Sequence, residues 1–188
     1  GAYYKENHIE VVENFIPTEN LNNLQFWMID PKFKWNYNPS NLDYPLEKFI
    51  KNNMYGDNFV FNHAWVWEGI LKDKELTHDL ELLIESIRNK TGTNLIKRIK
   101  ANLYTNQGKQ IKYGKHTDMP NSKDFYWTLI YHVNDCNGMT VLDDEEKNIY
   151  KEIPQKANQL IMFDGRINHY GVTQTDNAVR LVINFLMM

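Results

Sequence analysis

The sequence predicts a mostly β domain, a sandwich or barrel with helices packed against its outside. Two observations carry that reading. The second half breaks into many short strand-like runs separated by turn residues, while two stripes of helical spacing are confined to the first half. Length adds a bound: 188 residues favour one domain over 1–188. Within it a helical N-terminal part, 1–93, would pack against a β core, 94–188.

Taken in order, His8–Val12 alternates weakly and reads as a short strand. Pro17-Thr18 then opens a helix, with Thr18 as its N-cap, Leu21, Leu24 and Met28 at helical spacing, and Pro31 as its stop. Residues 31–62 are rich in Asn, Pro and aromatics without a clean period. They read as irregular, with one short strand near Asn58–Asn62. From Lys74 to Lys90 the residues Leu76, Leu80, Leu83, Ile84 and Ile87 form one apolar stripe, and Gly92 is the expected stop.

Beyond Gly92 the period changes. Ile96, Ile99, Ala101 and Leu103 roughly alternate with Lys97, Lys100 and Asn102. Strands are then expected at Ile111–His116, Phe125–Val133, Met139–Leu142, Ile149–Ile153, Gln159–Phe163 and Val179–Leu186. The turns between them are marked by Asn106-Gln107-Gly108, Pro120-Asn121-Ser122, Asn137-Gly138, Asp164-Gly165 and Asp176-Asn177.

Composition narrows the function. Against 24 acidic residues stand 21 basic ones, a net charge of −3, which argues against a nucleic-acid surface. A mean hydropathy of −0.60 and no long apolar run argue against a membrane span, and the N-terminus lacks a signal-peptide pattern. Cys136, the one cysteine, excludes an internal disulfide and a Cys-rich zinc site, and suits a reducing cytoplasm. Chemistry therefore has to be sought among the six histidines.

His116-Thr117-Asp118 closes a strand-like run, where residues i and i+2 share a face. Alone this is weak, since a chain of this composition holds about 0.4 such triplets by chance. Downstream, His169 follows the apolar run Leu160–Phe163, and Arg180 opens the apolar strand Leu181–Phe185. A lone cation beside such a strand calls for an anion, either a carboxylate of the chain, Asp164 or Asp176, or a ligand. Two histidines and a carboxylate leave positions open on an octahedral ferrous ion, and an arginine fork suits a second carboxylate.

The ordered set His-x-Asp, Asn137-Gly138-Met139-Thr140, His169 and Arg180 resembles the iron(II)/2-oxoglutarate-dependent oxygenases, over about residues 95–188. Within them it is most similar to the prolyl-4-hydroxylase-like branch, through Asn102-Leu103-Tyr104, Tyr113–Asp118, Thr128–Tyr131 and His169-Tyr170-Gly171-Val172. The resemblance implies a double-stranded β-helix, the cupin-like jelly roll. It implies Fe(II) held by His116, Asp118 and His169, and 2-oxoglutarate and O2 as cosubstrates, with ascorbate a further candidate. Arg180 would meet the distal carboxylate of 2-oxoglutarate, near Tyr104 and His132. The implied activity is hydroxylation of a C–H bond, with peptidyl proline the first substrate and a free amino acid or small metabolite the alternative. A non-catalytic cupin-like binding module is the rival of a different class. A peptide would lie along 31–70 and 119–125.

Three positions depart from the family's branches. His132 stands where some prolyl hydroxylases have Tyr, and Arg180 where collagen-type enzymes often have Lys. Leu186 occupies the place of the second arginine of nucleic-acid repair enzymes. Several residues have a plainer expected role. His8, His63 and His78 read as scaffold, Arg166 as a loop salt bridge, Trp65, Trp67 and Trp127 as packing, and Asp143–Lys147 as a solvated hairpin tip.

Overall fold

The computed structural model describes residues 5–40, 45–52 and 58–188. Its elements are β1 (Ile9–Val12), α1 (Thr18–Ile29), β2 (Asn36–Asn38), α2 (Leu46–Lys51), β3 (Val60–Trp67), β4 (Ile70–Leu71) and α3 (His78–Thr91). There follow β5 (Ile96–Thr105), β6 (Trp127–His132), β7 (Met139–Asp144), β8 (Ile149–Pro154), β9 (Gln159–Asp164), β10 (His169–Val172) and β11 (Val179–Met187). No helix among the described residues is long and apolar enough to cross a membrane.

Two antiparallel sheets result. The larger runs β1-β9-β6-β11-β5-β3-β2, with β4 hanging on β3; the smaller runs β10-β7-β8. The first half is thus less helical than expected, because β1 and β3 pair directly with β9 and β5 of the second half. The expected boundary at residue 93 does not divide the sheet.

Alternation decides the layers, because successive side chains of a strand face opposite ways. Leu181, Ile183 and Phe185 of β11, Ile99 and Ala101 of β5, and Leu129 and Tyr131 of β6 share one core with Leu21, Leu24 and Met28 of α1 and Leu80, Leu83 and Ile87 of α3. The intervening residues face the smaller sheet. There Val182, Ile130, Leu142, Ile153 and Phe163 form a second core, beside a cavity.

Local chemistry sets the helix ends. Thr77 caps α3 by accepting a 3.2 Å hydrogen bond from the Leu80 N–H. Gly92 ends it in the left-handed region at φ 69°, which a residue without Cβ adopts freely. Thr18 is not the cap of α1. Pro17 holds that position, and no side chain caps the helix.

Residues 111–116 do not form the expected strand. They touch β10 only through isolated bridges, Lys112 to Val172 and His116 to His169. The Ile111 N–H donates to the Thr173 hydroxyl at 2.8 Å, so a side chain takes the place of a ladder partner. The stretch read as irregular, 31–62, contains β2, α2 and the start of β3, an eight-residue strand.

Candidate metal centre and cosubstrate cavity

His116 and His169 face one another across a single antiparallel bridge. Each N–H donates to the other's carbonyl at 3.0 Å, which places both side chains on one face. The ring centroids lie 4.7 Å apart. Each ring is oriented from behind: His116 Nδ1–H donates to Gly114 O at 2.8 Å and His169 Nδ1–H to Ile167 O at 3.1 Å. With the proton on Nδ1, both Nε2 lone pairs point forward.

Asp118 completes the group. Its Oδ1 is 3.5 Å from His116 Nε2 and its Oδ2 3.5 Å from His169 Nε2. Ligand atoms of the three residues all lie within 4.8 Å of one another, a spacing that could hold a metal ion. Burial alone would raise the Asp118 carboxyl. The facing His116 and His169 rings, when a second proton sits on Nε2, and the charge of Arg98 hold it well below the usual carboxylate range instead.

These residues line a cavity of about 870 Å³, within the range of small-molecule sites. Arg180 lies on the same wall set, 2% exposed. Its Nε donates to Gln155 Oε1 at 2.8 Å and its Nη2 to Met139 O at 3.3 Å. The guanidinium carbon stands 5.0 Å from the centre of the Tyr104 ring. Among the described residues no carboxylate reaches it. Asp164 is taken by Arg166 at 2.8 Å, and Asp176 accepts from the Asn137 N–H. Burial accordingly pushes the Arg180 pKa down, with no carboxylate to offset it.

Two glycines make the slot for this side chain. A Cβ at Gly138 would sit 2.8 Å from Arg180 Cδ and 2.8 Å from Val172 O; one at Gly171 would sit 3.1 Å from Arg180 Nη1. The glycine of the Asn137-Gly138 turn is therefore a clearance for Arg180.

The other sequence-predicted residues divide. Tyr104 lines the cavity and accepts a 3.2 Å hydrogen bond from Asn102 Nδ2. His132 does not line it. Fully buried, it contacts Gln159 Oε1 through Nδ1 at 2.6 Å and Thr140 Oγ1 through Nε2 at 3.4 Å. Thr140 itself faces the cavity and accepts from Arg180 Nη2 at 3.4 Å, so His132 stands one side chain behind the wall.

Arg166 forms the loop salt bridge with Asp164. Trp65 and Trp127 are core, whereas Trp67 lines the cavity. Asp144 is not at a solvated tip: it is 3% exposed, and its Oδ2 accepts from the Asn168 N–H beside His169. Of the stretches expected to flank a peptide, Asn38, Ser40, Asn62, Ala64, Trp67 and Pro120 reach the cavity, while 41–44 and 53–57 lie outside the described residues.

Arg98 and Lys100 were not singled out by the sequence. Arg98 Nη2 donates to Asp118 Oδ1 at 2.8 Å, and its guanidinium lies 5.2 Å from the Trp67 ring centre. The signal was present, since Arg98, Lys100, Asn102 and Tyr104 alternate with Ile99, Ala101 and Leu103.

No family model matches the sequence, and no curated protein matches it. Solved structures do. A 2OG-Fe(II) oxygenase family oxidoreductase from Burkholderia pseudomallei superposes with a TM-score of 0.68 at 11% identity, covering 95% of this chain and 84% of that one. A Trichoplax adhaerens prolyl hydroxylase, solved with a hypoxia inducible factor oxygen degradation domain peptide, gives 0.63 at 19% identity, covering 97% and 84%. The α-ketoglutarate-dependent carbocyclase SnoK of nogalamycin biosynthesis gives 0.64 at 11% identity, covering 100% and 81%. The fold of this chain is that of these oxygenases, mostly β with helices packed outside, the double-stranded β-helix.

Proposed function

We propose that the protein is an Fe(II)/2-oxoglutarate-dependent dioxygenase. It would convert a substrate C–H bond, 2-oxoglutarate and O2 into the hydroxylated product, succinate and CO2. One observation carries the reading: the converging His116, Asp118 and His169 share a cavity with a buried arginine that no carboxylate of the described chain meets. A binding module without turnover would be free to lose either feature.

The residues fit the implied groups. Two imidazole nitrogens and one carboxylate suit ferrous iron, which when bound supplies the oxygen chemistry. Around it the chain binds and orients. Gly114 O and Ile167 O fix the two rings, and Arg98 holds the Asp118 carboxylate. Arg180 offers a fork to a distal carboxylate, braced by Gln155 and the Tyr104 ring, with Thr140 beside it.

One structural neighbour is a prolyl hydroxylase bound to a peptide and another a carbocyclase of nogalamycin biosynthesis. Peptidyl proline is therefore one candidate substrate class and a small metabolite the other. The test is anaerobic addition of Fe(II) and 2-oxoglutarate, which should give a weak visible charge-transfer band. Folded, iron-loaded protein without that band would remove 2-oxoglutarate from the reading. A screen for +16 Da products would then identify the substrate.

A further inference from the structure

One wall of the cavity carries charge that neither the metal-ligating side chains nor Arg180 accounts for. β5 sends Arg98, Lys100, Asn102 and Tyr104 inward, and the register sets Tyr104 opposite Arg180 and Lys100 opposite Asn184. Lys100 thus lies four residues from the Arg180 end, about 13 Å along the strand. Among the described residues its amine makes no hydrogen bond and no ion pair. Its Nζ is 5.8 Å from the Trp67 ring centre, and Asp118 is engaged by Arg98.

Unpartnered polar atoms gather around it. Asn102 Oδ1, Thr128 Oγ1, Asn184 Oδ1 and Arg98 Nε are all buried without a hydrogen-bond partner, and Asn102 and Thr128 are each 1% exposed. Such groups are costly when left unsatisfied, so a cluster of them on a cavity wall points to a ligand. This end of the cavity is polar, unlike a cleft suited to a bare pyrrolidine ring.

Charge balance agrees. The described residues lining the cavity include three cations, Arg98, Lys100 and Arg180, and one acid, Asp118. A divalent metal and a dicarboxylate cosubstrate cancel each other, so an excess of positive charge persists after both are bound. Burial, with Arg98 beside it, pushes Lys100 down to about 8, opposed only by Asp118. That is how a cation lacking its counter-ion behaves.

We infer that Lys100, flanked by Arg98, Asn102 and Asn184, forms an anion subsite, and that the substrate is a small molecule bearing a carboxylate or a phosphate. The inference rests on the dioxygenase reading for calling the occupant a substrate. It replaces a neutral internal residue of a peptide with an acid whose charge orients it, while neighbouring amides serve a hydroxyl or amide group next to that acid.

The experiment is calorimetric titration of the protein with N-acetyl amino acids against their amides, and with glycerol 3-phosphate against glycerol. It is run with Fe(II) and 2-oxoglutarate under anaerobic conditions, and again without metal. An acid of the panel should bind at least about tenfold more tightly than its neutral partner. The two series tell carboxylate from phosphate. Lys100→Met and Lys100→Gln should each abolish the preference, and Lys100→Arg should keep it, with thermal melting to show that each folds. Equal binding of acid and neutral partner, a preference that survives in either neutral variant, or no acid bound at about 10 mM overturns the subsite. The visible band of the wild-type protein scores the other reading separately. A band with no acid preference removes the subsite alone, and an acid preference without a band removes the dioxygenase reading alone.

Discussion

His116 and His169 exchange backbone hydrogen bonds in both directions, 3.0 Å each way, although residues 111–116 otherwise fail to form a strand. The bridge fixes the relative position of two rings separated by 52 intervening residues. It explains why the metal-ligand set is ordered without a continuous ladder beneath it.

Metal binding should therefore depend on these rings and not on the chain's other imidazoles. His116→Ala and His169→Ala should each weaken Co(II) or Fe(II) binding by more than about 100-fold, beyond what loss of an orienting partner costs. His63→Ala, whose ring is paired with Asp73 at 2.7 Å, should bind metal as the wild type does. Equilibrium dialysis under anaerobic conditions measures this, and unchanged affinity in His169→Ala would remove the ligand set.

The two glycines beside Arg180 give a graded test of its role. Gly138→Ala puts a methyl 2.8 Å from both a side-chain carbon of Arg180 and the Val172 carbonyl, so something must move. Gly171→Ala, at 3.1 Å from a guanidinium nitrogen, asks for a smaller shift. The apparent KM for 2-oxoglutarate should rise most in Arg180→Met, by about 10–100-fold for a lost charge-assisted fork. Gly138→Ala should follow and Gly171→Ala should show least, all three retaining metal. Loss of metal with cosubstrate affinity intact would reverse the assignment.

His132 predicts an acid sensitivity. Burial and nearby Arg180 push its pKa down to about 3, with the Gln159 hydrogen bond only partly opposing them. Above about 6.5 the ring is neutral in both folded and unfolded chains and adds no pH dependence. Below that, the unfolded chain takes up a proton that the folded one refuses, so stability falls with pH down to about 3. Between pH 7 and 5 the loss is about 2 kcal/mol. Denaturant titrations should show that much more acid sensitivity in the wild type than in His132→Gln. Parallel pH profiles would mean the ring is charged in the folded protein.

How much of this was legible follows from what each signal needs. His116, Asp118, His169 and Arg180 were readable because the pattern places rare residue types at fixed order, and order survives any register. Strands β6, β7, β9 and β11 were readable because they are largely apolar runs between turn residues, and β8 because Ile149 and Ile153 bracket Lys151 and Glu152 at strand length. Arg98 and Lys100 were not, although their alternation was visible. Which face of a strand is interior depends on what covers the other face, and that is settled by α1 and α3 packing on Ile99 and Ala101. Asp144 misled for the same reason: only the fold reveals that one acid of an acidic run turns inward to anchor Asn168. β10, four residues long, is too short to announce itself.

Lys100 carries the last expectation, which concerns stability and not ligand binding. Its pKa falls from the ordinary 10.5 to about 8 in the folded chain, through burial first and Arg98 second. Below about 8 the amine is protonated in both folded and unfolded chains, and the full cost of holding a charge in the cavity wall is present. Between about 8 and 10.5 the folded chain sheds the proton while the unfolded chain keeps it, so wild-type stability rises with pH. Lys100→Met removes that cost at every pH. The variant should thus be the more stable protein at pH 7, and the difference should shrink by about 1–2 kcal/mol on going to pH 10, with partial solvent access of the amine taken into account. Chemical denaturation of both proteins across that range measures it. A difference that does not change with pH would mean the amine keeps its ordinary pKa, and a cation already content in the wall would have no need of an acid from the substrate.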